Sequence, residues 1–211
     1  YFSACNRNKR SVTIDFSTKD GADLVRQLAA KADILIENFK PGGLQKYGLD
    51  YASIAAFNPG IIYCSITGFG QIGPYSHRSG YDFLIQGMGG LMSITGQPDG
   101  SPGSGPMKVG VAVCDLFTGM FAANAALAAL AYRSRTGIGQ HIDCALLDSQ
   151  ISMLANQSAN WLNAEICPGR MGNSHPSVVP YTVYEAKDGF VIIACGNDKQ
   201  FIRLTAALGI P

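Results

Sequence analysis

Apolar and polar positions change period several times along the chain, and each change marks an element. Residues 11–16 (SVTIDF) alternate with the period of two that a strand requires. Residues 19–32 (KDGADLVRQLAAKA) then carry Leu24, Val25, Leu28 and Ala32 at helical spacing. A second strand is expected over residues 32–37 (ADILIE). Pro41-Gly42-Gly43 opens a short helix reaching Tyr47, with Gly48 as its stop, and a further helix covers 51–57 before the Asn58-Pro59-Gly60 turn. Residues 61–66 (IIYCSI) form an almost unbroken apolar run. A strand with no polar face must be covered on both sides, so strands of this kind alternating with helices predict a parallel sheet with helices on each face.

The second half of the chain alternates in the same way. A glycine-rich loop over 67–80 precedes a helix over 81–93 and a Pro/Gly/Ser-rich loop over 96–107. Residues 109–113 (VGVAV) read as a strand that runs into Asp115 and an alanine-rich helix. After the Thr136-Gly137-Ile138-Gly139 turn, a strand is expected over 141–144 (HIDC). A helix over 146–163 then places Leu147, Ile151, Leu154 and Ser158 on one face. The character changes around 167–177. Residues 181–186 and 190–195 flank a Lys187-Asp188-Gly189 turn, the signal of an antiparallel hairpin, and a helix over 199–208 follows. The expected domains are 1–167, a large α/β domain, and 168–211, the start of a smaller α+β domain.

Composition narrows the function classes. The 211 residues are 47% hydrophobic and 15% charged, with 16 Lys and Arg against 15 Asp and Glu. That balance argues against nucleic acid as a partner, because neutralising phosphates needs a clear basic excess. The charged fraction is well under the roughly 25% of a typical soluble domain, which points to surface hidden by assembly or by further chain. The uncharged stretch 116–132 is 17 residues long. Half of its apolar residues are alanine, which favours a packed buried helix over a membrane span. No two of the six cysteines make a CxxC, and no His clusters near them at zinc-finger spacing, so no metal site is expected. Free thiols in strand-like apolar runs indicate a reducing compartment, with the cytoplasm, or the mitochondrial matrix in a eukaryote, as the expected location.

Three motifs bear on chemistry. Gly68-Phe69-Gly70-Gln71-Ile72-Gly73 fits GxGxxG, but Pro74 follows at once where a dinucleotide site needs a helix N-terminus. Its glycines instead suit close passage of backbone past a ligand. Asp115 stands between an apolar strand and an apolar helix. It is there either as a helix cap or as an ionised carboxylate at the ligand-binding end of a parallel strand, able to attack an activated acyl group. His77 and His175 lie in glycine-rich loops and are candidate site-lining residues, whereas His141 in a strand reads as structural. The run Asn6-Arg7-Asn8-Lys9-Arg10 reads as a solvated face, or as a contact for an anionic phosphate.

Taken together, NRNKRS (6–11), ADILIENFKPGGLQKYGL (32–49), NPGIIYCSITGFGQIGPY (58–75), SGYDFLIQGMGGLMSITG (79–96), VGVAVCDLFTG (109–119), TGIGQHIDCALLDSQ (136–150) and GNSHPSVVPY (172–181) resemble the family III (CaiB/BaiF) CoA-transferases. The resemblance implies a Rossmann-like fold, interlocked homodimers, acyl-CoA and small carboxylic acids as partners, and coenzyme A thioester as co-substrate rather than a bound cofactor. It assigns the nucleophile to Asp115, through a mixed anhydride and an aspartyl-CoA thioester. CoA contacts fall on Ile14 to Ser17, on Asn38, Phe39 and Lys40, on Lys46, and on Arg78, Ser79, Gly80 and Tyr81. Lys46 stands where relatives often carry Arg, which keeps a phosphate charge partner but not bidentate geometry. Ser79 stands where some carry Lys. A loop closing over the acyl-aspartate corresponds to Gly172, Asn173, Ser174 and His175.

The sister α-methylacyl-CoA racemases carry His where this chain has Tyr81. A phenol with a pKa near 10 is a poor base at neutral pH, so transfer is favoured over racemisation. A non-catalytic CoA-binding protein is the remaining alternative, against which Asp115 speaks. By eye the nearest members are dicarboxylate transferases, a hint toward succinyl-CoA. The family pattern also has a segment before NRNKRS and a long C-terminal return, so the expectation is the interior of a chain roughly twice as long. On that expectation these residues alone are inactive and poorly soluble.

Overall fold

The computed structural model describes residues 2–210 as a mixed α/β protein. In chain order the elements are α1 (Phe2–Cys5), α2 (Lys19–Ala29), β1 (Ile34–Glu37), a single 3-10 turn (Gln45–Tyr47), α3 (Tyr51–Ala55), β2 (Ile62–Thr67), α4 (Asp82–Met88), α5 (Leu91–Ile94) and α6 (Val113–Thr136). There follow β3 (Gln140–Ala145), α7 (Leu146–Ser152), α8 (Ala155–Ala164), β4 (Tyr181–Ala186), β5 (Gly189–Ala194) and α9 (Asp198–Leu208). Two compact units result. The first takes the chain up to Asp82 together with Cys114–Ser149; the second takes Phe83–Val113 together with the chain from Gln150 onward.

The first unit is built on a parallel sheet of order β1-β2-β3, with Ile34 opposite Ile62 and Ile62 opposite Gln140. Successive side chains point to opposite faces. Ile62, Cys64, Ile66, Ile142 and Cys144 therefore share one face and pack on Ala122, Ala126, Ala129 and Leu130 of α6. Alanines at that spacing let the long helix lie close against the strands. Tyr63 and Leu35 share the other face, with Ala29, Leu44, Leu49, Ile54 and Ile61 packed around them. Each fully buried isoleucine contributes about 1.5–3 kcal/mol of transfer free energy; Ile62 is fully buried on one face of β2, and Ile54 and Ile61 pack fully buried on the other. Helices on both faces match the sequence expectation.

By length and composition α6 could cross a membrane, but Cys114, Thr118, Ala122, Ala126 and Ala129 are buried within the protein. Its far end is locked by Arg133, which donates to the Asp33 and Gly60 carbonyls at 3.2 and 3.1 Å and to the Asp33 carboxylate at 2.7 Å. The second unit contains the antiparallel pair β4-β5, with Ala186 opposite Gly189 across the expected Lys187-Asp188 turn.

Four expectations change. Residues 11–16 form no strand: Asp15 folds back onto the Ser17 N–H and hydroxyl at 3.0 and 2.6 Å, and Thr18 caps α2 by accepting from Gly21 N–H. The side chains of a helix cap here hold the backbone in a turn. Residues 109–113 form no strand either, since the Val109 N–H donates to the Gln86 side chain at 2.9 Å instead of to a neighbouring strand. The helix expected over 81–93 divides into α4 and α5 around Gly90, whose φ of +89° is left-handed. The helix expected over 146–163 divides at Ala155, which has φ +46°.

Candidate functional site

Loop closure after β1 and β2 gathers the residues expected to contact CoA in the first unit. Asn38, Phe39, Lys40 and Pro41 line one cleft of about 150 Å³ together with Thr67, Gly68, Arg78, Ser79, Gly80 and Tyr81. Asn38 donates from Nδ2 to the Ile66 carbonyl at 2.5 Å, which ties the end of β1 to the end of β2. The Phe39 N–H donates to the Glu37 carboxylate at 2.7 Å. Gly68 is required here, because a Cβ on it would lie 2.5 Å from the Gly80 Cα and 2.7 Å from the Gly80 nitrogen. Arg78 stacks over the Tyr75 ring, 4.2 Å from its centroid. The GxGxxG run forms turns with φ of +86° at Gly70 and +98° at Gly73, and the next helix begins only at Asp82. It builds no phosphate-binding helix N-terminus.

A second cleft, of about 380 Å³, brings Ser17 beside Lys46, with Thr18, Lys19, Arg26 and Tyr47 around them. Lys19 and Arg26 both pair with Asp23, while Lys46 reaches over the Tyr47 ring at 4.7 Å. Phe16 joins the two clefts, edge-on to Phe39 at 5.6 Å and to Tyr47 at 5.3 Å. Ile14 is half-buried and lines neither cleft. The 6–10 run is exposed for the most part, with Lys9 bonded to Asn6, and His77 is exposed on the 67–81 loop.

Asp115 is the third residue of α6, in its first turn. With no strand before it, the expected position at the end of a parallel strand does not hold; the carboxylate stands at a helix N-terminus instead. Asp82, the residue after Tyr81, reaches the same turn. Its Oδ1 accepts the Cys114 N–H at 2.8 Å. Asp115 is exposed over the residue as a whole, yet partial desolvation raises its carboxyl above the ordinary aspartate range, and the Asp82 charge raises it further. Burial, with Asp82 as neighbour and hydrogen-bond partner, pushes the Cys114 thiol up to about 12. The chain thus links the cleft holding Tyr81 to the turn holding Asp115 through one residue, Asp82. Sequence reasoning gave Asp82 no role, because its partner lies 32 positions away; its only signal was an acid at the start of a predicted helix.

A third cavity of about 310 Å³ shares Lys40 with the first cleft and is lined by Glu37, Asp50, Tyr51, Ser65, Gln71 and His141 among others. His141 Nε2 meets the Ser65 hydroxyl at 2.9 Å, and its ring stacks on Tyr51 at 4.8 Å. Among the described residues no group of three or more His, Cys, Asp or Glu side chains is placed to hold a metal ion. In the second unit, Gly172, Asn173 and Ser174 are exposed and His175 is half-buried.

Compared with known proteins, the sequence matches CoA-transferase family III over residues 1–211. The chain belongs to that family. A succinate–glutarate CoA-transferase of Agrobacterium fabrum is 56% identical to this family III chain over 210 residues, covering all of it and 52% of the relative. The human succinyl-CoA:glutarate CoA-transferase is 41% identical over 211 residues, or 47% of its own length. The crystal structure of a CaiB/BaiF family protein from Brucella suis superposes with a TM-score of 0.88 at 57% identity, covering 99% of this chain and 54% of that one. The chain spans about half the length of the family III relatives it matches.

Proposed function

We propose that the protein containing this chain transfers CoA between carboxylic acids, with Asp115 as the nucleophile. The observation that carries the reading is the link from the Tyr81 end of the CoA cleft, through Asp82, to the first turn of α6. The ionised Asp115 carboxylate attacks the thioester carbonyl of the donor; the carbon–sulfur bond breaks and CoA leaves as thiolate, giving a mixed anhydride. The thiolate then attacks the aspartyl carbonyl and releases the donor acid, leaving an aspartyl-CoA thioester. An acceptor carboxylate attacks that carbonyl to form a new anhydride and free the thiolate once more. Attack of the thiolate on the acceptor's carbonyl yields the new acyl-CoA and restores Asp115. Each intermediate keeps the activation of the thioester, so no external energy source is needed.

A raised Asp115 makes a more basic carboxylate, a better nucleophile as long as it is still ionised at working pH. The positive end of the α6 dipole stabilises the charge. Lys46 and Ser17 would receive phosphate, and Asn38, Phe39, Lys40 and Arg78 to Tyr81 the rest of the CoA arm. The relatives named as acting on succinate and glutarate support a dicarboxylate pair with succinyl-CoA as donor. A homodimer is part of the same reading, since Leu116, Phe117, Met120, Phe121 and Leu127 leave an apolar face of α6 exposed. Six free cysteines favour a cytoplasmic or matrix setting.

The test is chemical trapping in the full-length protein. Incubation with succinyl-CoA followed by hydroxylamine should leave a hydroxamate on the peptide containing Asp115, and Asp115→Asn should abolish both this product and transfer. A wild-type protein that transfers CoA with no modification at Asp115 would sink the covalent mechanism.

A further inference from the structure

Thr67 and Gly68, at the end of β2, line the cleft that also holds Asn38 to Lys40 and Arg78 to Tyr81. Beyond Thr67 the chain has no ladder partner, yet Gly68 and Gly70 are buried. Buried backbone groups must find partners elsewhere. The Gly70 N–H donates to the Thr67 hydroxyl at 2.9 Å, and the Gly68 carbonyl accepts the Leu147 N–H at 3.1 Å. The Gln71 N–H donates to the Asp143 carboxylate at 2.8 Å, across 72 residues of chain. All of these residues belong to the first unit.

Asp143 stands on β3 opposite Ser65 of β2. Strand alternation puts its side chain on the face away from α6, with those of Ser65 and His141. The same carboxylate accounts for the glycine at position 70. A Cβ there would stand 3.3 Å from Asp143 Oδ2, and the backbone has φ +86°, so glycine both makes the turn and leaves room for the carboxylate. Gln71 goes on to line the cavity that shares Lys40 with the cleft. Of the bonds that hold the loop, the one from Gln71 ends on a charged group, and such bonds are about twice as strong as neutral ones. Asp143 is exposed over the residue as a whole, so its charge keeps contact with water and carries little burial penalty.

We propose that Asp143 is a positioning residue for CoA binding: its carboxylate holds Gln71, and through Gln71 it keeps the wall made by Thr67 and Gly68 against the Arg78 to Tyr81 loop. The proposal rests on the reading of that cleft as the CoA site. Asp143 lines neither the cleft nor the neighbouring cavity, so it acts through the loop backbone. Gly68 meets Gly80 so closely that an added Cβ would lie 2.5 Å from the Gly80 Cα. An outward shift of this wall therefore widens the cleft directly. The CoA arm held there is the same in the ground state and the transition state, so widening weakens binding and leaves the chemical step alone.

The experiment compares the full-length protein with Asp143→Ala and Asp143→Asn; the asparagine keeps an oxygen able to accept the Gln71 N–H but carries no charge. Hydrogen exchange reads the Gln71 amide against the Cys64 amide of β2, and calorimetric titration reads the affinity for CoA. Steady-state rates with succinyl-CoA and glutarate separate kcat from KM. In Asp143→Ala, Gln71 exchange should rise and CoA binding weaken, each about tenfold, the loss expected for one charge-assisted bond. The KM for succinyl-CoA should rise with the Kd, while kcat stays within about twofold of wild type and Cys64 exchange does not change. Asp143→Asn should recover part of both losses. Unchanged Gln71 exchange in Asp143→Ala overturns the proposal. Faster exchange with unchanged CoA affinity upholds the anchor and overturns its bearing on the cleft. Faster exchange at Cys64 as well as Gln71 marks a loosened sheet and overturns the positioning role. If Asp143→Ala fails to fold, Asp143→Asn decides: faster Gln71 exchange with weaker CoA binding upholds the proposal, and no change in either overturns it. A wild type that binds no CoA overturns the reading of the cleft, while Gln71 exchange still judges the anchor.

Discussion

Asp82 Oδ1 accepts the Cys114 N–H at 2.8 Å, and the same carboxylate raises the titration of Asp115 one residue further along. One side chain therefore caps the helix that carries the candidate nucleophile and tunes that nucleophile. Asp82→Asn separates the two effects, because the amide oxygen can still accept the N–H while the charge is gone. Desolvation is the larger cause of the rise and remains, so Asp115 should titrate lower in the variant but not fall to the ordinary value near 3.8. The acid limb of the pH profile for hydroxylamine trapping should shift to lower pH, with the trapped residue unchanged. The stability sign is fixed as well. A carboxyl raised in the folded state binds its proton more tightly there, so stability is lost as pH rises from 3.8 through the raised value. Asp82→Asn should shrink that loss, measured by urea titrations across the acid range.

The contact of Gly68 with Gly80 makes a second prediction. A Cβ at Gly68 meets backbone at 2.5 and 2.7 Å, which no rotamer change relieves. Gly68→Ala should push apart the loops that carry Asn38 to Lys40 and Arg78 to Tyr81. The overpacking range is about 1–3 kcal/mol, which corresponds to roughly fivefold to 150-fold weaker CoA binding if the strain falls on the cleft. Calorimetric titration with CoA reads it. Gly110→Ala, with nothing within 4 Å of the added Cβ and no positive φ, is the control and should bind as wild type.

These two cases mark what the sequence could and could not reveal. β2 was legible because an apolar run on both faces of a strand points to a sheet enclosed by helices, and β1 and β3 from short apolar stretches alternating with helices. The hairpin of β4 and β5 was legible from its Asp-Gly turn. Residues 109–113 have the alternation of a strand but lack a neighbour, and Gln86 satisfies the Val109 N–H instead. Periodicity reports which side chains seek burial, not where a hydrogen-bond partner will be. The CoA cleft came from motif resemblance, and folding brings its pieces together across 28 residues between Asn38 and Ile66. Asp82, and the contact of Ser65 with His141 across 76 residues, were not legible. Both depend on tertiary approach between groups with no local signature.

Arg133 offers a prediction about stability alone. Its guanidinium spans the Asp33 and Gly60 carbonyls and the Asp33 carboxylate, joining the end of α6 to the chain leading into β1 and β2. A lysine ammonium cannot hold that planar fork. Arg133→Lys should cost about 1–3 kcal/mol, the range for hydrogen bonds from a charged donor. Asp33→Asn should cost less than about 1 kcal/mol, since the Asp33 side chain is 78% exposed and its carbonyl contact survives. Urea midpoints at constant m-value compare the two, and equal losses would contradict the dominance of the carbonyl contacts.

Cys114 is a competing nucleophile beside Asp115, and its environment argues against it. With burial as the main cause and Asp82 adding to it, the thiol is raised to about 12. Roughly one thiol in 100,000 is then ionised at pH 7, and a buried protonated thiol attacks thioesters poorly. Cys64, raised to about 11 by burial in the sheet, is equally inert. Cys114→Ala should lose about 1 kcal/mol of stability as a small buried side chain is trimmed, yet keep most of the transfer activity. The chemistry distinguishes the two sites directly: hydroxylamine regenerates free thiol from an acyl-cysteine but leaves a hydroxamate on an acylated aspartate. Mass spectrometry of the tryptic peptide should therefore find the hydroxamate on Asp115 in both wild type and Cys114→Ala. Absence of the hydroxamate from wild type, together with loss of transfer in Cys114→Ala with the fold intact, would reassign the nucleophile to the thiol.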